Sequence, residues 1–443
     1  MAEAHRVLKR TLTTTALVFV MFFTTSGGAY TMEGLVVAAG PGLALVMLLA
    51  LPLVYSAPES LIIAELASAM PEEGGYYRWV RRAFGSFWGF QNGWITYLYS
   101  LVDMAIYPVL FNTYLSWFVP NMSAGAHWGV SLVLIWGATA INLRGALNVG
   151  RVSIAAGVFV LTGFAVLAVV ALPQVTHAPW TPFVVPGSTV GAGLAVALST
   201  ALWNYIGWDN ASTVQGEVVD ASRAYPRALS FAVPLVTLSY FIPMLPTLAA
   251  TNLGQWKEGA WPALAVALGG RFGPFLAAWL AIGGMISAMA LLNALLMTYS
   301  RVPHVLAVDG LLPRALAVTD ARGTPRRAVV ISAIAYSLFA LLPFSRLVVA
   351  DVLLYSLALI LEFCALLALR RREPDLRGVF RIPLGWGGVA AIATLPTLVL
   401  CVVVGLAVHD GELAMPSLIG SAVGVALGPL FYFIAKRSGR PSV

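Results

Sequence analysis

Three carboxylates stand where an apolar sequence has little use for them. Glu33 is the only charged residue between Arg10 and Glu59, Asp103 the only one between Arg82 and Arg144, and Asp209 the only one between Arg151 and Glu217. A charge near the centre of a bilayer costs about 2.5–3.5 kcal/mol even on lenient insertion scales, so such a residue marks a position facing a cavity or a partner. Acids with no matching base fit two chemistries: holding a cationic ligand, or taking and releasing a proton. The alternative is that each carboxyl is neutral, or is satisfied by hydroxyls and backbone amides at a helix break.

Two of these acids sit beside sequence that interrupts a helix. In "FFTTSGGAYTMEG" (22–34), Ser26, Gly27 and Gly28 lower helix propensity in mid-stretch; in "LWNYIGWDNAS", Gly207 does so beside Asn204, Asp209 and Asn210. Paired interruptions in corresponding halves of a chain mark the binding site of transporters built from inverted repeats, because a broken helix offers N–H groups on one side and carbonyls on the other. The breaks here are about 180 residues apart, as two five-helix halves require. Aromatic residues crowd the same places: Tyr30 near the first break, Trp203, Tyr205 and Trp208 around the second, Tyr99 and Tyr107 on either side of Asp103. Rings can stack on a cation, close over a substrate or simply pack, and Trp203 and Tyr30 are the two singled out for the substrate. Gly283 and Gly284 in "AIGGMIS" read equally well as close-packing positions.

The elements that must position these groups are membrane helices. Charged residues make up 10% of the chain and hydrophobic ones 59%, against roughly 25% charged in a soluble domain. Twelve apolar stretches are each long enough to cross the bilayer: 12–40, 42–68, 86–118, 127–143, 148–173, 191–220, 227–250, 264–308, 326–343, 347–370, 387–408 and 415–435. They are continuously apolar rather than alternating, which favours an all-α polytopic protein over a barrel. Alternate connections collect Lys and Arg, from Arg6, Lys9 and Arg10 through Arg78, Arg81 and Arg82 to Lys436, Arg437 and Arg440; only Lys257, Arg271 and Arg346 fall on the other side. That pattern puts both termini in the cytoplasm.

The net charge of +7 is thus a matter of topology and lipid headgroups, with no nucleic-acid partner implied. A cleavable signal peptide is rejected, since the first apolar run is too long, lacks a small-residue cleavage site, and its removal would invert the charge pattern. Cys364 and Cys401 lie in different spans and read as packing residues, and His127, His177 and His409 are too scattered to hold a metal. No zincin, nucleophile-elbow or P-loop motif occurs, so neither an enzyme nor an ATP-driven pump is indicated, no cofactor is expected, and the energy must come from a gradient.

Several stretches carry a family resemblance that covers essentially the whole chain. "TTSGGAYTMEGLVVAAGPGLAL", "YSAPESLIIAELASAMPEEGGYYRWVRRAFGSFWGFQNGW" and "WNYIGWDNASTVQGEVVDASRAYPRAL" resemble the amino acid, polyamine and organocation transporter superfamily. "SGGAYTME", "DMAIYPVLF", "DGLLPRALAVTDARGTP" and "LILEFCALLALRRREPDLRGVFRIPLG" are most similar to its polyamine uptake transporters, relatives of the L-type amino acid transporters. The resemblance implies a LeuT-like five-plus-five inverted repeat, with repeat one at 12–173, repeat two at 191–370 and two extra helices at 387–435, working by alternating access. It places the unwound segments at Ser26, Gly27 and Gly28 and at Tyr205, Ile206 and Gly207, and matches Trp203 to an aromatic that covers the substrate. Amino acid carriers of the group usually read G-S-G at the first break, where amides receive a carboxylate; here the order is Ser26, Gly27, Gly28. Glu33 stands where many of them have proline, and the lysine that some proton-coupled relatives carry in span five is absent from 152–173.

The expected substrate site therefore comprises Ser26, Gly27, Gly28, Tyr30, Glu33, Asp103, Tyr107, Trp203, Tyr205, Gly207 and Asp209, with Glu33 and Asp103 as proton-coupling candidates. A polyamine has several ammonium groups and no carboxylate, so spaced acids and ring faces suit it better than an anion cradle. The leading expectation is an importer of polyamines or related cationic amines. Its rival is an amino acid permease or exchanger of the same fold, and a receptor or channel using that fold is a more distant third. Compact loops and the lack of a targeting sequence point to a bacterial inner membrane.

Overall fold

The computed structural model describes residues 9–340, 348–409 and 415–438. Arg6, Arg346 and Arg440 of the charge pattern lie outside these, as do residues 341–343 and 347 of two expected spans. Among the described residues every expected span contains helix. Ten stretches of the described residues are long and apolar enough to cross a membrane, and the other two spans are represented by shorter helices.

Span one is split into α1 (Thr14–Thr25) and α2 (Met32–Ala39). Span two runs from α3 (Pro41–Leu51) through a π-helical turn at Pro52–Ser56 into α4 (Ala57–Ala69). A short connecting helix, α5 (Gly75–Phe84), precedes span three, which is α6 (Ser86–Asp103) and α7 (Ile106–Leu115). Spans four and five are α8 (Ala124–Asn142) and α9 (Ala146–Ala171). Span six is α10 (Val190–Trp203) followed, after a break, by a 3-10 helix at Asn210–Glu217. Next come α11 (Ala221–Ala250), the short α12 (Trp261–Leu268), and span eight as α13 (Gly273–Tyr299) with α14 (Arg301–Val308). Four helices complete the chain: α15 (Arg326–Phe339), α16 (Val348–Arg372), α17 (Trp386–His409) and α18 (Met415–Ser438).

Prolines account for two departures from straight spans. Pro108 has no N–H for the carbonyl of Met104 and its ring crowds that carbonyl, so span three breaks at Met104 and Ala105, just past Asp103. Pro52 likewise frees the carbonyl of Leu48, and the hydroxyl of Tyr205 donates to it at 2.9 Å. This is how membrane helices tolerate proline: a neighbour takes the orphaned group. Span eight begins at Gly273 instead of 264, because Gly270 turns the chain at a φ of +51° and leaves α12 a separate helix.

Segments assigned to one side by the arginine pattern meet at one end of the bundle. There Arg78 and Arg81 pair with Asp309, Arg82 with Glu373, and Arg301 with Glu217 at 2.6 Å, while the backbone of Leu12 bridges to Val218. Burial first, and the Asp309 carboxylate second, hold the Tyr77 hydroxyl above the usual tyrosine range, so it stays a donor to Asp309. Connections assigned to the opposite side also meet: Leu43 N–H donates to Phe183 at 2.8 Å and Gln174 to the carbonyl of Leu268 at 2.6 Å. Cys364 and Cys401, read as packing residues, are free and exposed on α16 and α17.

Candidate functional site

The break in span one is held open by its glycines. Gly27 and Gly28 have φ of +77° and +95°, and a side chain on Gly27 would also meet Ser287 Oγ at 2.5 Å. Several of the polar groups released there find partners. Gly27 N–H donates to Phe22 O at 3.2 Å and Gly28 N–H to Ser26 Oγ at 2.9 Å. Carbonyls are capped from other helices: Gly27 by Ser287 at 2.6 Å and Ala29 by Trp261 at 2.8 Å, while the Tyr114 hydroxyl, with one hydrogen to give, lies within reach of both Tyr30 O and the Glu33 carboxyl. Buried backbone groups in a bilayer require such accounting, and here side chains supply what the helix gives up.

Span six breaks against it. Gly207 has φ of +103°, and a Cβ there would lie 2.4 Å from the carbonyl oxygen of Thr24, so the two interruptions touch and only glycine lets them. Gly207 N–H donates to the Tyr355 hydroxyl at 2.9 Å, while the carbonyls of Asn204 and Trp208 accept from Tyr240 at 2.7 Å and Tyr225 at 3.0 Å. The Thr31 hydroxyl donates to the Asn204 side chain, tying α2 to α10 across the gap.

A cavity opens beside the touching breaks. Thr24, Thr25 and Ser26 line it from span one; Trp203, Ile206, Gly207 and Asn210 from span six; Tyr99, Asp103 and Tyr107 from span three; Leu291 and Tyr299 from span eight; Asp351 and Tyr355 from span ten. Asp103 accepts from Tyr107 at 2.6 Å and from Tyr299 at 2.8 Å, and Tyr99 donates to Asn210 at 2.9 Å. Asp351 Oδ1 and Thr25 Oγ1 are buried without a partner. No Lys, Arg or His is among the lining residues. Two carboxylates, tyrosine oxygens and ring faces make a surface that accepts hydrogen bonds and favours positive charge.

Of the residues expected from sequence, the cavity brings together Ser26, Asp103, Tyr107, Trp203 and Gly207. Gly27 and Gly28 shape it without lining it. Tyr30 is wedged between Tyr114 and Phe164 with its hydroxyl over Gly283, where a Cβ would come within 2.1 Å; the Tyr114 ring lies as closely over Gly284. The glycine pair is therefore a close-packing site. Glu33 is also outside the lining, its carboxylate accepting from the Tyr114 hydroxyl at 2.5 Å. Tyr205 is the cap on Leu48, and Asp209 points behind the break, where Tyr355 donates to it at 2.8 Å.

Sequence reasoning passed over Asp351, Tyr299 and Tyr355. It looked for acids isolated in the chain, and Asp351 shares its span with Glu362 and Arg370. Asking only whether an acid falls inside a span would have found Asp351, Glu362 and Glu59. Among the described residues no group of His, Cys, Asp and Glu has a metal-holding arrangement.

Comparison with known proteins agrees with this architecture. A family model described as "Amino acid permease" matches residues 10–426. The chain is 37% identical over 431 residues to polyamine transporter PUT1 of Oryza sativa subsp. japonica, covering 97% of this chain and 80% of that one. It is 34% identical over 429 residues to polyamine transporter RMV1 of Arabidopsis thaliana, covering 96% and 86%. At 25% identity over 339 residues, with 73% and 74% covered, it is also similar to the serine/threonine exchanger SteT of Bacillus subtilis (strain 168). The superfamily resemblance read from the breaks is borne out, and with it the multi-pass, broken-helix transporter fold in which α17 and α18 are the extra helices. With the model matched over nearly its full length, the chain belongs to the amino acid permease family of membrane transporters and is not an enzyme.

Proposed function

We propose that the cavity binds a polyamine or related cationic amine and that the protein imports it by alternating access. The observation that carries this is the composition of the lining: Asp103 and Asp351 with four tyrosines and a tryptophan, and no base. Asp103, its oxygens fixed by Tyr107 and Tyr299, is the anchor for one ammonium. Asp351, with an unpartnered oxygen, is free to meet the other. Rings of Tyr99, Trp203 and Tyr355 present faces to the methylene chain and to the charge.

The rival substrate, a zwitterionic amino acid, needs free amides at the first break. Gly27 N–H is already given to Phe22 and Gly28 N–H to Ser26 Oγ, so a carboxylate would have to displace protein acceptors. The polyamine transporters among its relatives support the amine reading and the serine/threonine exchanger the rival one.

In this scheme a dication entering a negative interior gains about 4–5 kcal/mol per 100 mV, at about 2.3 per elementary charge. The arginine-rich end, whose ion pairs span α5, α14, α16 and the span-six terminus, faces the cytoplasm with both termini and must part for release. Repeats at 12–173 and 191–370 rock about the fixed site, among lipids whose anionic headgroups meet the arginines. The compact connections suit a bacterial inner membrane.

The test is binding and counterflow with purified protein in proteoliposomes, using putrescine, spermidine, agmatine, arginine and neutral amino acids. Trans-stimulated flux of the diamines is expected, which a channel or receptor would not give. Stabilisation and counterflow by neutral amino acids alone would transfer the protein to the rival reading.

A further inference from the structure

The acids that the cavity does not use gather behind it. Glu59 of α4, Asp209 beyond the span-six break and Glu362 of α16 are each at most 2% exposed and lie within one another's field. Every ion pair among the described residues goes to a different acid: Glu65, Glu73, Glu217, Asp220, Asp309 or Glu373. The groups around the three are neutral: Tyr55 and Tyr355 near Glu59, Tyr76, Tyr99 and Tyr225 near Asp209 and Glu362, Asn92 near Glu362.

Hydrogen counting shows what this chamber holds. The Tyr355 hydroxyl oxygen lies 3.0 Å from Glu59 Oε1 and 2.8 Å from Asp209 Oδ1, and it already accepts the N–H of Gly207 at 2.9 Å. A hydroxyl has one hydrogen to give and two lone pairs to fill. One carboxyl takes that hydrogen; the other makes a hydrogen bond only if it brings a proton of its own and donates it to the free lone pair. By hydrogen-bond geometry both oxygens of Glu362, Glu59 Oε2 and the hydroxyls of Tyr55 and Tyr76 are buried without a well-placed partner, and the Asn92 amide beside Glu362 donates to Ala358 O at 3.1 Å. A bare carboxylate in that state is far costlier than a protonated one.

We propose that Glu59, Asp209 and Glu362 form a proton-exchanging chamber, separate from the amine cavity and joined to it by Tyr355, that takes up and returns a proton in each transport cycle. The step is acid–base exchange alone: a carboxylate oxygen takes H⁺ from water on one side of the membrane and later gives it to water on the other. Coupling runs through a shared contact. Tyr355 lines the cavity, holds the N–H of Gly207 at the break and touches two chamber acids, so a change in chamber protonation alters the group that pins the hinge. The proposal rests on the transport reading and adds a coupling site to it.

The experiment uses the full chain in proteoliposomes, with radiolabelled putrescine and an internal pH dye, comparing wild type with Glu59→Gln and Glu362→Gln. Glutamine keeps the shape of the protonated side chain but cannot exchange the proton. Wild type should move protons with putrescine, and in both variants the ratio of pH-driven accumulation to counterflow should fall at least roughly tenfold, within the ordinary range of coupling energies. Unchanged ratios, or wild-type flux with no proton movement, would overturn the proposal. Failure of counterflow with every amine and amino acid would sink the transport reading by itself. The chamber is then decided by infrared spectroscopy on the same protein: a C=O stretch of a buried protonated carboxyl present in wild type and lost in Glu362→Gln supports it, and its absence from wild type overturns it. Should Glu362→Gln fail to fold, Glu59→Gln and the wild-type spectrum still decide the matter.

Discussion

Acids at the arginine-rich end and acids at mid-membrane live by different rules in this molecule. At the end, Glu217 has Arg301, Glu65 has Arg370 at 2.5 Å and Asp309 has Arg78. In the middle, Glu33, Asp103 and Asp209 have tyrosine hydroxyls in place of bases. A permanent base fixes an acid as part of the scaffold or of a gate. A tyrosine satisfies its lone pairs and leaves its charge uncancelled, available to a cation that comes and goes. On the proposed reading, the difference separates acids that hold the protein together from acids left open to a cation or a proton.

The largest effect should come from breaking a scaffold pair. Arg301 is fully buried, so Arg301→Met leaves Glu217 as a buried, uncompensated charge and should cost about 3–5 kcal/mol, read as a large loss of thermal stability and of folded yield. Adding Glu217→Leu should restore part of it, because that pair's second charge goes too while Glu73, 3.9 Å from the same guanidinium, still loses its partner. If the single change were harmless, the end layer would not be scaffold.

Next comes the cavity. Asp103→Asn keeps its shape and one acceptor for the tyrosines, so the fold should survive, but diamine affinity should fall by about 2–5 kcal/mol, at least roughly thirtyfold in Kd. Asp351→Asn should weaken a diamine more than a monoamine of the same length, since it removes the second of two charges. Scintillation proximity binding with both ligands separates these outcomes, and an equal loss for both would deny Asp351 its role.

A smaller penalty, about 1–3 kcal/mol of local strain, is expected from Gly207→Ala, which puts a Cβ into the carbonyl of Thr24 at a φ of +103°. Transport should suffer more than stability if, as proposed, spans one and six move against each other at this contact. Thermal unfolding and counterflow measured on one preparation would show the split, and parallel losses would make Gly207 a packing residue only.

The legibility of these features followed their physics. Span number and both breaks could be read because they depend on local composition: apolar length, and Gly27, Gly28 and Gly207 in otherwise helical sequence. Trp203, Asp103 and Tyr107 entered the cavity as expected because they sit beside a break or opposite one. Side-chain direction was another matter. Asp209 is two residues past Gly207, yet the non-helical turn between them carries it to the far side, and periodicity says nothing about a turn. Tyr299 and Tyr355 gave no signal, since a tyrosine in a membrane helix looks the same whether it packs or binds. The kink at Asp103 was written in Pro108, whose missing N–H falls one turn back.

Glu33 gives the finest test of the comparison. It has no base beside it, like Asp103, yet it lies outside the cavity lining, under Tyr114 and at the start of α2. A side chain in that position serves the shape of the broken span. Glu33→Gln keeps an acceptor for Tyr114, so diamine Kd should change by no more than about threefold, the charge acting on the cavity only through a screened field. Asp103→Asn measured alongside supplies the scale. Should Glu33→Gln weaken diamines as much as Asp103→Asn while sparing a neutral amino acid, the carboxylate must reach the substrate in a conformation where Tyr114 has let go. The line between structural and working acids would then be drawn by the transport cycle instead of by position.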